Sequence, residues 1–114
     1  MGEVPFAAQI LPGKLDTWKQ FNAELQGARH NEFVASRNRV GITREKVFYQ
    51  QTPMGDFAVV YVEGPGAESM MPQVGASTDP FAIWFRDSVK DIHGLDMTQP
   101  PPGPPPELGH EFTA

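Results

Sequence analysis

The chain has 114 residues, 39% of them hydrophobic and 20% charged, which fits one globular domain. Its net charge of -5 at pH 7 and pI near 5.0 argue against a nucleic-acid partner or an anionic membrane surface. There is no cysteine, so disulfides and thiolate metal sites are excluded, and a reducing cytoplasm is the compartment we expect.

The opening MGEVPFAAQILPG has no basic region and no long apolar run, and it does not read as a signal peptide. No stretch approaches the ~20 apolar residues of a membrane span. Residues 4–11, VPFAAQIL, form a short apolar run closed by Pro12 and Gly13, which suits a buried strand. Leu15, Trp18, Phe21, Leu25 and Ala28 then recur at steps of three and four, the mark of one helix face. The spacing predicts a helix over 15–39, with Gly27 as a bend and Gly41 as a stop.

Residues 44–52, REKVFYQQT, and 56–63, DFAVVYVE, are rich in β-branched and aromatic residues and predict two strands. Thr52-Pro53-Met54-Gly55 between them suits a type I turn, which makes a hairpin. After GPG at 64–66 the pattern turns helical again, interrupted by Pro72. Asp79 offers an N-cap and Pro80 a first helical position. Phe81, Trp84 or Phe85, Ser88 or Val89, and Ile92 follow at helical spacing until Gly94. Leu95–Met97 reads as a short last strand. Residues 1–98 make the domain, and 99–114 are an extended proline-rich arm suited to wrapping a sister subunit.

This order is α+β and follows the ferredoxin-like βαββαβ plan, an antiparallel sheet with two helices on one face. Pairing Thr52 with Phe57 places Phe48, Gln50, Thr52, Phe57, Val59 and Tyr61 on one face of the hairpin. Val47, Tyr49, Gln51, Ala58, Val60 and Val62 take the other. Neither face is polar, as a sheet open to water would be. We assign the smaller aliphatic set to the helices and the aromatic-polar set to a partner, most simply a second copy.

The segments SRNRVGITRE, TPMGD, DPFAIWFRD and HGLD resemble a family of small bacterial proteins in the dimeric α/β-barrel, ferredoxin-like superfamily. The likeness covers about residues 10–108. It implies a homodimer whose sheets enclose a cavity. The superfamily spans cofactor-free monooxygenases, haem-handling enzymes, isomerases and stress-response proteins, so membership selects no reaction and carries no catalytic residue over.

His30, His93 and His110 lie on separate elements, which disfavours a metal site. Haem would need one axial ligand, which His30 or His93 could supply, but no cofactor is expected. His93 falls in a last helical turn, where the helix dipole favours an imidazolium. Arg29, Arg37, Arg39, Arg44 and Lys46 cluster in an acidic chain. They suit a carboxylate or phosphate, or else pairing with Glu32, Glu45, Asp79 and Asp87. Tyr49, Gln50, Gln51 and Tyr61 place polar atoms on strands that otherwise read as buried. The helix-side pair should bond to backbone or helix side chains, and the other pair to a ligand or partner.

The expected function is therefore a homodimer binding a small, partly apolar or anionic molecule in a sheet-lined cavity, with His30, Arg37, Arg44, Gln50 and Tyr61 as candidate contacts. The alternatives are a cofactor-free monooxygenase- or isomerase-like enzyme, with Tyr61 or His30 moving a proton, and a non-catalytic dimeric interaction module.

Overall fold

The hairpin sets the architecture. In the computed structural model, which describes residues 2–114, the strands β2 (Arg44–Thr52) and β3 (Gly55–Gly64) are joined by a two-residue loop, Pro53-Met54. Thr52 Oγ1 accepts from Met54 N at 3.1 Å and donates to Gly55 O at 2.8 Å, which stitches the loop shut. The tight loop pairs Thr52 with Gly55, Gln50 with Phe57 and Phe48 with Val59. The register is therefore two residues away from the one the sequence suggested. A shift of two leaves every side chain on its expected face, because the strand period is two.

The N-terminal strand β1 (Gly2–Ile10) pairs antiparallel with β3 on its other side, giving a three-stranded sheet in the order β1-β3-β2. Its register runs from Gly2 opposite Gly64 to Ile10 opposite Asp56. Pro5 lies on this edge strand, where a residue without an N–H is tolerated.

The expected 15–39 helix is two helices, α1 (Leu15–Gln26) and α2 (His30–Arg39). Gly27 turns the chain, and Arg29 N returns to Glu24 O at 2.8 Å. Trp18, Phe21 and Leu25 are buried as their spacing predicted, but Ala28 falls in the turn and is exposed. A 3-10 turn (Ala67–Ser69), α3 (Met70–Ala76) and α4 (Pro80–His93) follow β3.

α4 starts and stops as its sequence dictates. Asp79 Oδ2 accepts from Phe81 N and Ala82 N, Pro80 takes the first turn, and Gly94 ends the helix at φ 72. Phe81, Phe85 and Ile92 are buried. α1 and α4 pack on each other through an aromatic cluster in which Phe21 lies 5.3 Å from Trp84 and 5.4 Å from Phe85, ring to ring.

Leu95–Met97 is not a strand. Its backbone is committed to a turn: Asp96 Oδ1 accepts from Thr98 N at 2.9 Å, and Gln99 N donates to Asp96 O. Met97 is buried against α3, its carbonyl so close to Gly75 that a Cβ there would collide with it. Residues 99–114 are exposed throughout and carry no helix or strand. The result is an α+β fold with a three-stranded antiparallel sheet and four α-helices. Among the described residues, no helix is long and apolar enough to cross a membrane.

Candidate functional site

α2 has a short, mostly polar sequence, HNEFVASRNR, whose inward face is Phe33, Ser36 and Arg37. Packing this helix on the body therefore buries an arginine. Arg37 is 5% exposed, a rare state for a charged side chain unless it is paired. Its Nε donates to Glu45 Oε1 of β2 at 2.6 Å. The guanidinium lies between two rings, with its carbon 4.7 Å from the Phe33 centroid and 4.6 Å from that of Phe85. Both contacts suit a planar cation over an aromatic face.

The pairing is incomplete. Nη1 and Nη2 of Arg37 are buried and have no hydrogen-bond partner among the described residues. A buried donor left in this state costs about 1–3 kcal/mol, and more when it is charged. Arg37 and Glu45 line a cavity of about 70 Å³ between the helical layer and the sheet. Its walls are chiefly apolar, with Phe21, Ala58, Val60, Phe85 and Met97 among them. A groove of about 310 Å³ adjoins it and shares Trp18, Asn22, Leu25, Glu45 and Val47 as lining. Lys19, Gln26 and Phe33 complete the groove wall. Glu45 thus stands where groove and cavity meet.

His93 lines the cavity from α4, and its Nδ1 lies 2.8 Å from Gln9 O. Burial pushes its pKa below the usual imidazole value, only partly opposed by the Gln9 carbonyl. The neutral ring is therefore the favoured form, and the helix-end imidazolium expected from the sequence is overruled by desolvation.

The open face of the sheet is separate from this cavity. It carries Pro5 and Ala7 from β1, Phe57, Val59 and Tyr61 from β3, and Phe48 from β2, with Phe48 55% exposed. Arg44, Lys46, Glu3 and Glu63 cluster at one end. The Tyr61 hydroxyl reaches Glu63 Oε2 at 2.6 Å and Glu3 Oε2 at 3.1 Å. The Glu63 hydrogen bond first, then desolvation and Glu3, raise the Tyr61 pKa far above its ordinary value. At neutral pH Tyr61 is a phenol and not a base.

The five candidate residues are not brought together. Arg44, Gln50 and Tyr61 share the open sheet face, and Arg37 is under the opposite one. His30 begins α2, exposed, with Nδ1 3.2 Å from Leu25 O. The arginine cluster is largely paired: Arg29 with Glu32 at 3.4 Å, Arg37 with Glu45, and Arg39 with Asp79 at 3.4 Å. Tyr49, on the helix side, donates to Asp56 of β3 at 2.8 Å and not to backbone or a helix. Among the described residues, no group of three or more His, Asp or Glu is placed to hold a metal ion.

The features missed in the sequence are Glu45 as a cavity wall and the Phe33–Arg37–Phe85 sandwich. The step of four from Phe33 to Arg37 was the available signal for a buried arginine. Comparison with protein families, with curated sequences and with solved structures found no match.

Proposed function

We propose that the chain binds a small, largely apolar molecule carrying a hydrogen-bond acceptor, in the cavity between the helices and the sheet. The observation that carries this reading is Arg37, which holds two unpartnered donors nearly out of water against apolar walls. A ligand oxygen that displaces one of the ring contacts enclosing Nη1 and Nη2 would satisfy both donors, and the adjoining groove gives room for the body of the ligand. The site differs from the one the sequence suggested, which lay on the opposite face of the sheet.

We read the open sheet face as the contact surface of a homodimer. Supporting this is a row of half-buried and exposed apolar side chains on a face that none of the described elements covers. The dimeric α/β-barrel resemblance agrees with it. Binding is favoured over catalysis because Tyr61 and His30, the proton-moving candidates, lie away from Arg37.

The test is a thermal-shift screen of small aromatic ketones, esters and acids against the full chain and Arg37→Lys. A binder at a hundred times its Kd stabilises the fold by about 2.7 kcal/mol. The expected outcome is a melting shift in the native protein that shrinks in Arg37→Lys, which keeps the charge and loses the fork. An equal shift in both proteins would remove Arg37 from the site.

A further inference from the structure

The charge at this site is already balanced. Four titratable groups face the cavity and its groove: Arg37 on α2, Glu45 on β2, His93 on α4 and Lys19 on α1. Lys19 lines the groove and is exposed to solvent. Burial favours the neutral form of His93. What remains inside is one cation and one anion, held 2.6 Å apart with side-chain exposures of 7% and 13%.

An arginine facing an apolar pocket ordinarily suggests a carboxylate ligand. Here a carboxylate would place a second negative charge beside Glu45. A ligand oxygen bonded to Nη1 or Nη2 at about 2.9 Å would sit roughly 5–6 Å from the Glu45 carboxylate, by the geometry of a hydrogen bond and a guanidinium. In an apolar enclosure that repulsion is weakly screened, and one cation cannot neutralise two anions. An uncharged acceptor meets the same two N–H groups without adding charge.

Building on the binding reading above, we infer that Glu45 makes this site select uncharged acceptors. The ligand presents a neutral carbonyl, as in a ketone, ester or quinone, to Nη1 and Nη2 of Arg37. A carboxylate is admitted only together with a proton, which goes to Glu45 or stays on the ligand. Glu45 is on this account a specificity-determining residue as well as the partner that holds the guanidinium in place.

Nitrobenzene and benzoate have nearly the same shape and two oxygens each, but only benzoate is charged; acetophenone supplies a neutral carbonyl. Titration calorimetry of the full chain with all three, at pH 7.5 in two buffers of different ionisation enthalpy, separates the possibilities. The expected result is that the neutral probes bind at least about tenfold more tightly than benzoate. Their heats should not depend on the buffer, while any benzoate binding should show uptake of about one proton. In Glu45→Gln, which keeps an acceptor for Nε without the charge, benzoate should overtake nitrobenzene and bind with no proton uptake.

Tight benzoate binding to the native protein with no proton uptake overturns the selection rule and leaves the cavity as a site. A proton uptake that persists in Glu45→Gln belongs to His93 or to the ligand and overturns the role given to Glu45. If none of the three probes gives heat or shifts the amide spectrum, both the rule and the binding reading fail. Should Glu45→Gln not fold, the two-buffer measurement on the native protein decides.

Discussion

His93 shows how one residue's setting can reverse what its sequence position suggests. The end of a helix favours a charged imidazole, but half-burial against Gln9 and the cavity favours the neutral one. Between the lowered folded value and the ordinary one near 6.5, the unfolded chain binds more protons than the fold. Stability therefore rises with pH across that window and is lost as pH falls through it. The difference in melting temperature between the native protein and His93→Gln should change with pH below about 6.5 and be flat above it. A constant difference from pH 5 to 8 would show that the ring's charge state is immaterial. The same scale explains why Arg37 was legible only as a charge in the sequence. In HNEFVASRNR only the step of four from Phe33 to Arg37 hints at the buried face, because Ser36 and Arg37 occupy positions an apolar stripe would normally fill. Its ring partner Phe85 lies far along the chain, so proximity could come only from the fold.

Among the elements, α4 was the most legible, because its signals are local. Asp79, Pro80 and Gly94 act within one turn of the helix end and need no tertiary information. Replacing Asp79 with Ala removes the oxygen that accepts from Phe81 N and Ala82 N, and should cost about 1 kcal/mol of unfolding free energy in urea. Part of that loss could come through Arg39, 3.4 Å away, so Arg39→Ala is the control. An unchanged denaturation midpoint in Asp79→Ala would show that the cap is idle. The hairpin faces were legible for a similar reason: alternation assigns sides whatever the register. The register itself was not, because it depends on whether the loop has two residues or more. The supposed last strand failed because its turn is closed by Asp96 and Thr98, and the segment is seated against Gly75, a contact invisible in sequence.

For the whole molecule, the proposed dimer rests on the open sheet face. Its apolar centre, Ala7, Val59, Phe48 and Phe57, is flanked at one end by acid on β1 and β3 and base on β2. A twofold axis parallel to the strands would lay β1 of one copy over β2 of the other, bringing Glu3 towards Arg44. We expect light scattering at micromolar concentration to give twice the 12.6 kDa chain mass, and Val59→Lys to give the single-chain mass with unchanged circular dichroism. A monomeric native protein would remove the dimer from the account.

The strand order has a further bearing, on how the chain assembles in time. β2 and β3 are neighbours in sequence and can zip from a two-residue loop, whereas the nearest partners of β1 and β3, Ile10 and Asp56, are separated by two helices and a strand. Closing that long loop forfeits the most chain entropy of any pairing in the sheet. β1 leaves the ribosome before β3 and must therefore wait for it before its edge is satisfied. Until then its apolar run stays unpaired, and Pro5 near its start limits what a stray strand could add to it.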